Sequence, residues 1–394
     1  MKNFIFISPN FPANYWKFCR ELANDGFNVL GIGDCPYDNL CVELKNSLHE
    51  YYRVDSLENY DEVFRAVAFF TFKYGKIDYL ESNNEYWLER DAKLRTEFNI
   101  TTGFGVKDMP KVKYKSKMKT YYKKAGIKVA RHCLVRSPKV IEKFIAEVGF
   151  PVIVKPDNGV GAAATYKIRN ADELAAFLKA KPQGYIMEEY LHAVVNSYDA
   201  IVDGNGTPVF ETGLVEMGDL MDIVNTGANS CYYYLSTPLD DVREAGRQTL
   251  KAFKVKNRFV HFEFFRLLSD QRIGKKGEVV ALEVNMRPAG GCSPDMMNYA
   301  NSTDVYKIWA DTLAYGGTQV QRGEKFYCAY AGRRMGKNFV YSEQDIVDKY
   351  KNNLKSIWNV PKALSGCMGD LSFLANFKTQ EEMNAFFDDV TKEY

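Results

Sequence analysis

Glu278-Val279-Val280-Ala281-Leu282-Glu283-Val284-Asn285-Met286-Arg287-Pro288, followed by Gly290-Gly291, decides the reading of this chain. Up to Asn285 the stretch alternates as a half-buried strand does, with side chains on opposite faces at a period of two. That places Glu283 and Asn285 on one face, with Arg287 emerging just beyond it. A carboxylate on an otherwise apolar strand is costly unless something pairs with it. A carboxylate, an amide oxygen and a guanidinium together suit a magnesium-bound phosphate. They offer two oxygen ligands for the metal and one fixed cation for phosphoryl charge.

A second acidic strand lies just upstream. Phe259-Val260-His261-Phe262-Glu263-Phe264-Phe265-Arg266-Leu267-Leu268 sets Glu263 among phenylalanines. The intervening Ser269 to Gly277 is polar, ends in glycine and reads as a hairpin loop. A hairpin centred near Ile273 brings Glu263 and Glu283 opposite one another. Like charges in that position are destabilising unless cations sit between them. For either motif alone, one glutamate paired with a lysine and the other solvated is an equally good reading. Together they favour a divalent-metal site.

The composition narrows the field. At 394 residues the length prior gives about two to four domains. Lys+Arg 52 against Asp+Glu 50 leaves a formal charge of +2, so no bulk field favours nucleic acid or membranes. The apolar part of Met1 to Ser8 is too short for a signal peptide and reads as a first strand. No run approaches the roughly 18 apolar residues of a membrane span. The 8 cysteines are scattered without Cys-x-x-Cys and there are only 4 histidines, which argues against zinc and for a reduced, cytoplasmic setting.

Residues 1–111 alternate strand and helix. Strands are expected at Phe4–Ile7, Phe27–Asp34, Tyr51–Val54 and Ile77–Leu80, with helices at Tyr15–Asn24, Asp61–Tyr74 and Glu85–Phe98. That alternation predicts a doubly wound parallel sheet covered on both faces. A dinucleotide site is not expected: Ser8 to Asn14 after the first strand has no glycine, and Gly31-x-Gly33 reads as a strand-end turn.

Lysines crowd the next segment, at 111, 113, 115, 117, 119, 123, 124 and 128. From Tyr114 on, Met118, Tyr121, Tyr122 and Ala125 recur at helical spacing, with Gly126 as C-cap. Most of these lysines read as solvated, while one at the helix start can reach an anion. Pro151-Val152-Ile153-Val154-Lys155-Pro156 then delivers a lysine into Asp157 to Ala164, a loop of small residues. Backbone N–H groups in such a loop can wrap phosphate oxygens; an ordinary turn is the alternative. A helix at Ala171–Lys179 and a strand ending Glu188-Glu189-Tyr190-Leu191 follow.

The ordered set resembles the ATP-grasp superfamily, closest to its carboxylate–amine ligase and carbamoyl-phosphate-synthase-like branch. It comprises a lysine at a helix start, strand-Lys-Pro-small-residue loop, Glu-Glu-Tyr-Leu, an acidic strand and Glu-x-Asn-x-Arg-Pro. The resemblance runs from the N-terminus to about residue 320. It implies an N-terminal domain over 1–111, a small subdomain over 112–185, a large subdomain over 186–320 and a small C-terminal α+β appendage over 321–394.

The resemblance also implies roles. Lys115 and Lys155 would contact ATP phosphates, under a loop that includes Gly159, Gly161 and Ala162. Backbone groups of Met187 to Leu191, Tyr190 among them, would hold adenine with help from Glu188. Glu263, Glu283 and Asn285 would bind Mg2+, two ions in all with Mn2+ as a substitute, and Arg287 would stabilise the transferring phosphoryl group. A small carboxylate would be phosphorylated to an acyl phosphate and attacked by an amine. The partners implied are these small molecules and a second copy in a homodimer.

The chain departs from the family pattern in two places. Ala162 and Ala164 stand where many members have serine and glycine. After Leu191 a ribose-binding glutamate is missing, and Asn196 is the candidate substitute. A catalytically silent ATP-binding regulatory or carrier module is therefore the alternative function. Asn84 and Glu85, at the end of the fourth strand, are expectations for the second substrate. Arg333 and Arg334 read as solvated, with a substrate clamp as the alternative.

Overall fold

The expected apolar runs and their glycine or proline stops become the strands and helices of three sheets. The computed structural model describes residues 1–159, 164–218 and 227–394. The N-terminal domain runs β1 (Asn3–Ile7), α1 (Trp16–Asn24), β2 (Asn28–Gly33), α2 (Val42–Ser47), β3 (Glu50–Arg53), α3 (Tyr60–Tyr74), β4 (Tyr79–Glu81) and α4 (Leu88–Glu97). Its sheet is parallel, in the order β3-β2-β1-β4. β1 is buried on both faces. Phe4 and Phe6 pack with Phe18 of α1, while Ile5 and Ile7 pack with Val63 and Phe70 of α3. This is why β1 reads as a continuous apolar run rather than an alternating one.

After α5 (Met109–Lys113) and α6 (Lys115–Lys124) comes a small subdomain. It contains β5 (His132–Leu134), α7 (Pro138–Val148), β6 (Val152–Pro156), β7 (Tyr166–Ile168), α8 (Ala171–Lys179) and β8 (Tyr185–Glu189). The sheet is antiparallel, ordered β5-β8-β6-β7. Ile141 and Phe144 of α7 close over Val152, Val154 and Met187.

The large subdomain begins with β9 (Ala193–Val202), β10 (Pro208–Glu216), β11 (Ser230–Leu235), α9 (Asp240–Phe253), β12 (Arg258–Leu267) and β13 (Val279–Asn285). Then come α10 (Ser293–Asn301), α11 (Val305–Tyr315), β14 (Tyr327–Arg333), α12 (Glu343–Tyr350), β15 (Leu354–Asn359), α13 (Lys362–Met368), β16 (Leu371–Phe377) and α14 (Gln380–Thr391). All eight strands form one sheet, ordered β13-β12-β9-β10-β11-β14-β16-β15.

Long-range pairing adjusts the expected boundaries in three ways. β8 pairs with β5 and β6, so the small subdomain extends to Glu189. The C-terminal strands β14 to β16 continue the large sheet rather than making one of their own, because β14 pairs with β11. And α6 packs on the large subdomain: its Met118 and Tyr122 share a core with Phe253, Phe264 and Val284. Arg333 is buried, donating through Nε to the Val390 carbonyl at 2.7 Å, and Arg334 donates through Nη2 to the Gly366 carbonyl at 2.6 Å. Arg333 thus ties β14 to the C-terminal helix, and the half-buried Arg334 ties the end of β14 to α13, which corrects the expectation that they are solvated. Among the described residues no helix is long and apolar enough to cross a membrane.

Candidate active site

A cleft of about 190 Å3 lies between the small sheet and the near end of the large one. Strand alternation decides what faces it. Phe262 and Phe264 of β12 point into the core beneath α6 and α9, so Glu263 and Phe265 point the other way, into the cleft. Glu263 pairs in register with Glu283, and a register shift follows directly after Glu263. The register skips Leu282 of β13, so Leu282 lines the cleft beside Glu283. Asn285 and Arg287 complete this wall, with Arg287 Nη2 donating to Asn285 Oδ1 at 3.3 Å.

The opposite wall carries the cations. Lys155, at the end of β6, reaches Glu188 of β8 at 2.9 Å. Lys115, at the start of α6, lies 3.1 Å from Glu283 Oε1 and donates to the Gly159 carbonyl at 3.2 Å. The start of α6 is itself anchored to the loop after β6. Asp157 accepts from the Ser116 N–H and hydroxyl, both at 2.7 Å. One helix thus belongs by packing to the large subdomain and by its first turn to the small one.

Each lysine that lines the cleft is paired with a carboxylate. Glu188 is buried between Lys119 at 2.8 Å and Lys155 at 2.9 Å. Burial opposes its charge, but the two ammonium groups hold its carboxyl well below the usual range. Burial pushes Lys119 down, whereas Lys155 is held up, against burial, by Glu188 and Glu283. Glu283 is raised by desolvation and by Glu263, whereas desolvation of Glu263 is outweighed by His261, Arg287 and Lys155, which lower it. Two neighbouring carboxylates pushed apart in this way describe a place where added positive charge is favourable.

Among the described residues no three His, Cys, Asp or Glu side chains are grouped closely enough to hold a metal ion by themselves. Two carboxylates and one amide oxygen nevertheless fit magnesium, which keeps several waters and is usually shared with substrate phosphates.

Apolar side chains floor the rest of the cleft: Ile153, Val195, Phe265 and Leu282. Tyr190 and Leu191 border it just past the end of β8. Among the described residues their backbone groups make no hydrogen bond. Met187 differs. It is interior to a central strand, paired with Cys133 and Val154, and its side chain is in the core. Its backbone serves the sheet. Asn196, the candidate ribose ligand, does not line the cleft. It is one residue out of phase with Val195, so its amide oxygen points away from the cleft and accepts from Arg266 Nε at 2.8 Å. Gly161 and Ala162 lie outside the described residues.

Sequence reading missed Lys119, Asp199 and His261. Lys119 is four residues after Lys115, hence on the same helical face, a signal hidden by the other lysines. His261 is two residues before Glu263 on the same strand face. Its Nδ1 is 2.8 Å from Asp199 Oδ1 and its Nε2 is 3.1 Å from Glu263 Oε1. Burial opposes its protonation, but these carboxylates raise it to about 9. Glu85 does reach the site: its Oε2 lies 3.7 Å from Arg287 Nε, and its Oε1 accepts from Lys113 at 2.8 Å.

No protein-family model matches the sequence, and no curated protein matches it. Solved structures do match in three dimensions. An L-amino acid ligase from Bacillus licheniformis superposes with a TM-score of 0.71 at 14% identity, over 99% of this chain and 97% of that one. A phosphoribosylglycinamide synthetase from Anaerococcus prevotii gives 0.66 at 16%, over 99% and 97%. The biotin carboxylase domain of a 2-oxoglutarate carboxylase from Hydrogenobacter thermophilus, solved with MgADP and bicarbonate, gives 0.66 at 14%, over 99% and 89%. At these identities the likeness is one of fold.

Proposed function

We propose that this chain, which has an ATP-grasp-type fold, is an ATP- and magnesium-dependent ligase that joins a small carboxylate to an amine. The observation that carries the reading is the pairing of Glu263 with Glu283 across from Lys115 and Lys155 in one cleft. The similar folds named as ligase and synthetase support it.

On this reading Lys115 and Lys155 leave their carboxylates for the phosphates of ATP, and the apolar floor beside Tyr190 and Leu191 takes adenine. Glu263, Glu283 and Asn285 would hold magnesium, which would supply charge neutralisation at the phosphates. A substrate carboxylate oxygen attacks the γ-phosphorus and the bond to the bridging oxygen breaks, releasing ADP and forming an acyl phosphate. Arg287 faces the charge that develops on the moving phosphoryl group. An amine nitrogen then attacks the acyl carbon, phosphate leaves, and the nitrogen loses a proton. The protein's share is positioning and charge balance; no side-chain nucleophile is needed.

The test is ADP release from magnesium-ATP with pooled carboxylates and amines. ADP formed only when both pools are present supports the reading. ATP binding without turnover against any pool favours the silent module instead.

A further inference from the structure

A second cavity, of about 670 Å3, lies apart from the cleft and shares no lining residue with it. Ligand pockets commonly span about 300–1,000 Å3. Tyr121 of α6 packs against Phe253 of α9, with 5.3 Å between ring centroids, and this brings the C-terminal turns of the two helices together. The cavity opens between those turns and α5. Four lysines line it, Lys111, Lys124, Lys251 and Lys254, beside Tyr121 and Gln248. Among the described residues no carboxylate does. In a chain whose Lys+Arg total is 52 and Asp+Glu total 50, a wall of one sign is a local departure.

Lysines at helix C-termini are ordinarily accounted for by the helix dipole. The charges do not balance that way here. Of the four, among the described residues, only Lys111 is in an ion pair, with Asp108 at 2.7 Å. Lys124 lies 5.5 Å from the centre of the Tyr121 ring, which leaves its charge in place. The two termini supply roughly half a negative charge each and Asp108 one more, so about two of the four positive charges are left over. Lys254 caps α9 at φ 55°, in the left-handed region that glycine favours. The chain carries a cation there against the local backbone preference.

Ammonium groups are compact point charges on flexible stems, and no arginine fork lines the cavity to impose a planar geometry. Such a wall selects charge density rather than shape. We propose that this pocket binds a small polyanion, one molecule carrying several phosphate or carboxylate groups, at a site independent of the cleft. Its oxyanions relieve the repulsion among Lys124, Lys251 and Lys254 and clasp the end of α6 to the end of α9. Lys115, at the other end of α6, is roughly 14 Å away along the helix, so both sites can be filled together.

The experiment is calorimetry on the full chain without magnesium, with tripolyphosphate, citrate and monophosphate as probes. Tripolyphosphate or citrate should bind at least about tenfold more tightly than monophosphate, and more weakly as salt is raised. The tighter of the two names the source of the anion; failure of both to bind overturns the proposal. Lys251→Glu with Lys254→Glu changes two exposed side chains and should lower that affinity about tenfold or more, with Lys251→Gln and Lys254→Gln falling between. Lys275→Glu with Lys276→Glu makes the same change of net charge on the hairpin loop and should bind as wild type; equal losses in the two reversals overturn the proposal. Lys155→Ala, in the cleft, should retain the binding that Lys251→Glu with Lys254→Glu removes. Loss of all binding in Lys155→Ala would put the anion in the cleft and overturn the second site.

Discussion

Glu263 and Glu283 stand directly opposite one another on β12 and β13, both facing the cleft. Among the described residues only Lys115 forms an ion pair with Glu283, at 3.1 Å. When that lysine turns to a phosphate, the two carboxylates need another positive charge between them. Metal and nucleotide should therefore bind together. Mn2+ binding, followed by electron paramagnetic resonance, is expected to be weak alone and at least roughly tenfold tighter with an ATP analogue. Glu283→Gln should abolish the gain. Tight metal binding without nucleotide would count against this site.

Lys119 is a buried partner of Glu188 rather than a surface lysine. Lys119→Met should cost about 3 kcal/mol in urea unfolding, the lower end for breaking a buried pair, because Lys155 still faces Glu188. A variant as stable as wild type would show that the pair contributes nothing.

Arg287 is held from the N-terminal domain. Glu85 approaches it at 3.7 Å, and Lys113 fixes Glu85 at 2.8 Å. Glu85→Gln should lower kcat about tenfold, equivalent to ~1.4 kcal/mol, with little change in ATP affinity. A loss of ATP affinity without a change in kcat would place Glu85 in nucleotide binding instead.

Asp91 gives the fold a pH dependence away from the cleft. Its carboxylate accepts from the Ser82 N–H at 3.0 Å and the Ser82 hydroxyl at 2.6 Å, and burial raises its carboxyl to about 7. The folded state therefore binds more protons than the unfolded chain between about pH 4 and 7, and stability falls as pH rises through that window. Asp91→Asn should match wild type near pH 4 and exceed it at pH 8, by up to about 4 kcal/mol. Parallel pH–stability curves for the two proteins would refute the assignment.

Gly246 sits where α9 meets β9. A Cβ there would fall 2.2 Å from the Tyr198 ring, which stacks on Phe262. Gly246→Ala should destabilise by about 1–3 kcal/mol through overpacking, read as a lower urea midpoint. An unchanged midpoint would mean that the helix shifts without cost.

The sequence by itself determined which face each acidic strand residue takes. A period of two and a polar loop symmetric about Ile273 were enough to set Glu263 against Glu283. The alternating N-terminal elements likewise prescribed a parallel sheet. Asn196 shows the limit of such reading: its place after Leu191 was legible, but not that its amide oxygen would be taken by Arg266 from the neighbouring strand. Tertiary structure alone decided what lies opposite each face. It brought Lys119 to Glu188, Glu85 to Arg287, and Trp358 to Phe11 from far along the chain. Local periodicity orients a side chain through backbone geometry, whereas its partner is chosen by packing between distant segments.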